Sequence, residues 1–265
     1  MNKSSFSELP ITWDDLEKFD NSQSIYRGHR CAEWRLETSL KRLCTRQCND
    51  LAKAEKIENV VFREFRRRLH HYSNNVPAVG QRLRWLSLMQ HHGAPTRFLD
   101  WTYSIYVAAY FAIEKARGDS AVWVINKNWL KDEGERIFKS ESREALIFHN
   151  KGDEEVEERF FRDVINRPPL PAVVQVNPFQ LDERLTIQKG VFLYPCDATK
   201  AFEQNLRAMP GHDDQKHVLK LVISHVDRMK AMKKLHAMNI SRATLFPGLD
   251  GFAQSLSVYH PLWYE

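Results

Sequence analysis

The feature that most constrains this chain is a stretch with no charge from Ile105 to Ile113. From about Ser104 to Lys115 it reads as a strongly apolar helix, and Ala121-Val122-Trp123-Val124-Ile125 reads as a buried strand after it. A helix apolar on every side belongs inside a packed structure. It is far shorter than the roughly 18–20 residues of a membrane span, and no other apolar run is longer. The chain is 43% hydrophobic and 28% charged over 265 residues. That excludes collagen-like and wholly disordered readings and allows a single domain. Met1 to Ser5 lack the basic-then-apolar order of a signal peptide. Four cysteines (Cys31, Cys44, Cys48, Cys196) include no C-x-x-C pair, so reduced thiols in a cytoplasmic protein are expected.

Around the apolar centre, residues 12–20 predict a short helix capped by Thr12, and 24–29 a strand ending at Gly28. Leu51, Ala54, Ile57, Val61, Phe65, Leu69 and Tyr72 recur every three or four residues, the stripe of an amphipathic helix. Residues 82–91 read as a second helix stopped by Gly93 and Pro95, and 96–102 as a strand. Residues 130–167 read as helical in part, with the acidic run Asp153 to Glu158 near a helix start. Strands are expected at 172–176, 185–194, 217–224 and 243–246, with helices at 226–238 and 251–257. The order is α+β, or irregular α/β, with no Rossmann or P-loop glycine fingerprint.

Charge is uneven. Residues 1–100 hold 17 Lys/Arg against 12 Asp/Glu, and the remainder holds 22 of each. Much of the excess sits at Arg63, Arg66, Arg67 and Arg68, either a solvated helix face or a surface for nucleic acid.

Four clusters carry more polar chemistry than loops need. In Tyr26-Arg27-Gly28, an arginine near a strand end beside a glycine suits an anionic ligand, or a structural ion pair next to a turn. Gln90 to Thr102 is the densest: Asp100 and Thr102 share one side of a strand, and Arg97 and Leu99 the other. His91-His92 lacks a third metal ligand at useful spacing, and no metal is expected. In Arg184 to Leu193, alternation puts Thr186, Gln188 and Gly190 on one strand face, offering a ligand a hydrogen-bonding side chain or making a network at a sheet edge. The fourth, Leu245 to Gly251, reads as a strand entering a turn, with Asp250 near a helix start. Cys44 and Cys48 read as ordinary thiols on one helical face.

These clusters stand in the order found in the FRG domain family, named for its (F/Y)-R-G motif. Tyr26-Arg27-Gly28-His29-Arg30 with Trp34 to Leu40 resembles the opening segment. Gln90 to Thr102, running on to Ala108-Ala109-Tyr110-Phe111-Ala112, resembles the family's most distinctive stretch, and Arg184 with Gln188 to Phe192 and Leu245 to Gly251 also match. The resemblance spans about residues 24–256, with 1–23 as a helical extension and 257–265 as a tail. It implies a mixed, mostly antiparallel sheet flanked by helices, with a core similar to the ADP-ribosyltransferase fold. There, a first strand brings Arg or His to NAD, a strand-to-helix unit packs on the nicotinamide, and a later strand supplies Glu, Asp or Gln.

Carried over, Arg27 holds NAD phosphates or ribose, and Thr96, Asp100, Trp101, Thr102 and Tyr106 wall the pocket. Tyr26, Gly28 and Arg97 join the binding set, and Gln188 takes the third position. Gln188 departs from the carboxylate usual there, so Asp100 supplies the anion or the site binds a nucleotide without turnover. Some family members are associated with prokaryotic defence. The resemblance therefore implies an NAD-consuming transferase or glycohydrolase acting as a defence or toxin effector. Its acceptor would be protein, nucleic acid or water, with a defence-system partner beside it. The competing readings are a nucleotide- or nucleic-acid-binding module, and another transferase or hydrolase using Asp100, Arg27 and His91.

Overall fold

The computed structural model describes residues 6–78, 80–142, 164, 167–178 and 182–257. The expected acidic run at 153–158 lies outside the described residues. Seven described strands form one sheet: β1 (Ser7–Ile11), β2 (Ser24–His29), β3 (Leu99–Thr102), β4 (Ser120–Asn126), β5 (Val173–Val176), β6 (Gly190–Pro195) and β7 (Val218–Ile223). Their spatial order is β1-β7-β4-β2-β3-β6-β5. Only β1 and β7 pair in parallel; every other pairing is antiparallel. The fold is α+β, as the sequence predicts. The amino-terminal segment is more than a helical extension, because β1 completes one edge of the sheet. Its helical part is a 3₁₀ turn, Trp13–Phe19, entered from Thr12, whose hydroxyl and N–H both donate to Asp15.

The apolar stretch becomes α4 (Ile105–Ile113), which crosses one face of the sheet over β2 and β4. Tyr26, Val122, Val124 and Leu221 point from the strands into this layer, and α8 (Arg228–Ala237) closes it from outside with Ala231, Met232 and Leu235. Gly28 is where strand and helix touch. A Cβ there would lie 2.0 Å from the Ala108 carbonyl oxygen and 2.6 Å from the Ala112 nitrogen, both backbone atoms that cannot swing aside. The glycine of the motif thus faces a helix.

Further along the same face, α2 (Ala54–Arg68) and α3 (Arg82–His91) cover the β6–β5 end. Phe62, Trp85 and Met89 pack there with Phe98, Phe192 and Tyr194. The buried positions of α2 are Ala54, Glu58 and Phe62, a line turned slightly from the expected stripe. Tyr72, placed on that stripe, is 85% exposed. The opposite face packs Ile25, Trp101, Trp123 and Leu193 under α5 (Lys127–Ser140) and α7 (Phe202–Arg207). On the first face the helices therefore come as two groups that meet over β3.

The start of one expected strand, 185–194, and most of another, 243–246, are helices. Residues 183–187 form α6 (Glu183–Ile187), started by Asp182, whose carboxylate accepts from the Leu185 N–H at 2.8 Å. Gln188 caps it, Lys189 takes a left-handed conformation (φ 47°), and the strand begins only at Gly190. Residues 242–245 form α9 (Arg242–Leu245), capped by Ser241, and α10 (Leu249–Ser255) follows. A short apolar run flanked by polar residues suits either state, and the cap decides. Among the described residues no helix is long and apolar enough to cross a membrane.

The close approach at Gly28 predicts that Gly28→Ala lowers stability by about 1–3 kcal/mol, since β2 and α4 must separate to admit a methyl group. Urea unfolding measures it; an unchanged midpoint would show that the contact is slack.

Candidate functional site

The site starts from an incomplete strand pairing. β2 and β3 are neighbours, yet they share one bridge, Tyr26 with Thr102. Beyond it the strands part at the centre of the sheet, where unpaired backbone groups need other partners. Arg27 supplies one. Its Nη1 donates to the Asp100 carbonyl, and its guanidinium lies 3.9 Å from the Asp100 carboxylate. Its Nε donates to His29 Nε2 at 3.2 Å, and His29 in turn faces the Trp34 carbonyl through Nδ1 at 3.3 Å. The arrangement suits a neutral His29 protonated on Nδ1. Burial, and then the charge of Arg27, push its pKa down from 6.5 to about 3. Burial also holds Arg27 below the usual arginine range, with Asp100 opposing and Arg42 adding to the shift.

Asp100 is the exposed member, with 57% of its side chain open to solvent. Alternation along β3 sends Leu99 and Trp101 into the core on one face, and Asp100 and Thr102 to the face where the two helix groups meet. Gln90 on α3 donates to the Asp100 carboxylate at 2.8 Å, and its carbonyl accepts from the Thr96 hydroxyl. Thr102 donates to the Gln188 carbonyl at 2.7 Å, and the Gln188 amide donates to the Leu245 carbonyl at 2.9 Å. Residues from all four sequence clusters thus form two hydrogen-bonded sets, one around Asp100 and one around Gln188, joined along β3.

Beside it lies a cleft of about 300 Å³ lined by His91, Arg184, Arg242, Phe246, Asp250 and Gln254, among others. Arg184 and Arg242 both lie over the Phe246 ring, at 4.6 and 4.4 Å. Arg242 also pairs with buried Glu114 at 2.7 Å, and His91 Nδ1 faces Asp182 at 3.2 Å. Gln90, which holds Asp100, and His91, which lines the cleft, are consecutive residues of α3.

The remaining residues singled out from sequence fall elsewhere. Trp101 is 3% exposed within the core, so it offers no wall to a ligand, although it shares a sheet face with Arg27. Tyr26 is fully buried, its hydroxyl donating to the Phe19 carbonyl at 2.8 Å. Gly28 packs on α4, Thr96 is buried in the turn before β3, and Tyr106 is half-buried beside the α4 layer. Arg97 is a buried anchor: its Nε donates to Glu58 at 2.8 Å, and its guanidinium lies over Tyr194. Burial alone would lower its pKa; Glu58 reverses that and raises it. Glu58 escaped the sequence reading, although a carboxylate one turn beyond Ala54 on a helix stripe was its visible sign. Of the basic run, Arg63, Arg67 and Arg68 share Glu64, at 3.4, 3.2 and 3.0 Å, and Arg66 lies over Phe62 and Trp85. Cys44 is buried and Cys48 half-buried, both free thiols. Among the described residues no group of three metal-ligating side chains occurs.

A histidine kept neutral makes stability depend on pH in a defined direction. The unfolded chain binds a proton at position 29 below about 6.5 and the folded chain only below about 3, so acidification favours unfolding throughout that window. His29→Gln is expected to flatten the loss of stability between pH 6.5 and 4, by up to about 1.4 kcal/mol per pH unit. Identical slopes in chemical denaturation would place His29 in a solvated setting.

No curated protein and no solved structure matches the chain. Residues 22–121 match the family model of the FRG domain. That span contains Arg27, His29, Gln90 and Asp100, whereas Arg184, Gln188 and Phe246 lie beyond it. The four residues that hold the gap between β2 and β3 thus lie within the span that matches the FRG domain.

Proposed function

We propose that the chain cleaves the nicotinamide–ribose bond of NAD and transfers ADP-ribose to an acceptor. The observation that carries this reading is the exposed Asp100 carboxylate, held between Arg27 and Gln90 where two helix groups meet over β3. Breaking the C1′–nitrogen bond sends its electron pair to nicotinamide and leaves a cationic ribose. A fixed anion lowers the barrier to such a charge. Asp100 is that anion. Arg27 acts on it as a positioning residue, because its guanidinium is already engaged by the Asp100 carbonyl and His29. Phosphate binding then falls to Arg184, whose planar fork suits phosphate oxygens, with Arg242, held by Glu114 and Gln254, on the wall of the same cleft. The acceptor (water, a protein side chain or a nucleobase) adds to C1′ and gives up its proton. The neighbouring placement of β2, β3 and β6 supports the likeness to the ADP-ribosyltransferase layout, with one difference. Gln188 is a cap bonded to Leu245, which leaves Asp100 as the carboxylate of the site.

The biological role that goes with this reading is a defence or toxin effector, whose cost to a host cell tracks NAD loss. Incubating the protein with NAD labelled in the nicotinamide ring is expected to release nicotinamide, and Asp100→Asn to reduce release about 10²–10³-fold with the fold intact. Release by Asp100→Asn equal to wild type would reject the assignment. A second reading, nucleic-acid binding without turnover, keeps one observation in its favour: three arginines of α2 share a single carboxylate, so positive charge remains exposed there. It requires no nicotinamide release, together with salt-sensitive binding of DNA or RNA that reversal of Arg63, Arg67 and Arg68 abolishes.

A further inference from the structure

A second cleft, of about 740 Å³, opens near the His29 end of β2, and its volume is within the roughly 300–1,000 Å³ of small-molecule sites. One wall is the segment 30–35 that follows β2; the turn 117–119 before β4 and Lys220 of β7 form the others. The segment is held in place. Ala32 N–H donates to the Asp119 carbonyl at 2.9 Å, Leu36 N–H to buried Glu203 at 2.9 Å, and the Trp34 carbonyl meets His29. The wall is therefore set before any ligand arrives.

Its chemistry is an exposed indole among guanidinium groups. Trp34 is 45% exposed, with Arg30 over one face of its ring at 4.8 Å. Arg35 and Arg117 are exposed and have no carboxylate within ion-pair distance among the described residues. Among the other charges, Lys220 pairs with Glu8 at 2.9 Å, and Glu203 holds Leu36 and Arg207. Glu33 and Asp119 are the lining carboxylates with no cation within ion-pair distance among the described residues, against Arg30, Arg35 and Arg117, so the unengaged charge is net positive. Trp123, also lining the cleft, is 1% exposed, and its indole N–H finds no acceptor among the described residues.

We infer that this cleft binds a nucleotide, with the base stacked on Trp34 and the phosphate on Arg35 and Arg117. Aromatic stacking beside arginine is how proteins hold bases without reading sequence, and a guanidinium grips phosphate oxygens in pairs. Free nucleotides and single-stranded nucleic acid share this chemistry. The site is separate from Asp100 and does not rest on the proposed reaction.

Calorimetric titration of the full chain with adenosine 5′-monophosphate and with a short single-stranded oligoadenylate tests it. Both are expected to bind, and Trp34→Ala to weaken binding about tenfold. Arg35→Gln with Arg117→Gln should weaken it and flatten its salt dependence. Equal affinities per site identify a free nucleotide as the ligand; a tighter oligonucleotide with a steeper salt slope identifies a strand. Asp100→Asn should bind as wild type does. Absence of binding, or binding unchanged in the Trp34 and arginine variants, would overturn the inference. So would binding that Asp100→Asn abolishes and Trp34→Ala spares.

Discussion

The arrangement rests on one contact, the Arg27 guanidinium against the carbonyl and carboxylate of Asp100. A sheet whose central strands share a single bridge leaves backbone groups unpaired at its middle, and such groups must be satisfied or solvated. Arg27 satisfies one of them from the neighbouring strand. The same contact orients the side chain of Asp100, so the mending of a structural gap also places an exposed carboxylate. His29 completes the set by accepting from Arg27, which requires it to stay neutral.

Around this contact the fold divides its work between two faces. Below, Trp101 and Trp123 stand in a continuous core under α5 and α7. Above, helix cover comes as α4 on one side and α2 with α3 on the other, and Asp100 and Thr102 stand where they meet. Gly28 belongs to the same logic, since only a residue without Cβ lets α4 lie directly on β2. In Tyr-Arg-Gly, successive side chains alternate between the faces: Tyr26 anchors one, Arg27 bridges the gap, and Gly28 admits the helix.

Much of this was legible in the sequence. An uncharged run at 105–113 has to be interior, and alternation at β3 put Asp100 and Thr102 together, which holds in the structure. The match to the FRG domain was legible from its motifs. What was not legible depends on partners distant in the chain. β1 pairs with residues more than two hundred positions away, and nothing local announces it. The helices at 183–187 and 242–245 read as strands because their apolar positions fit both periods, while the caps Asp182 and Ser241 were the better signal. Arg97 and Trp101 looked like pocket residues because burial is invisible in a polar motif. The first is neutralised by Glu58 inside the protein, and the second is core.

Because Arg27 is engaged by Asp100, the two should act on catalysis as a unit, as coupled residues do. The decisive measurement is nicotinamide release by Arg27→Lys, Asp100→Asn and the double variant. The account predicts that the double variant is no slower than Asp100→Asn alone. Losses that multiply, as for independent sites, would contradict it, as would a wild-type rate no higher than the uncatalysed background.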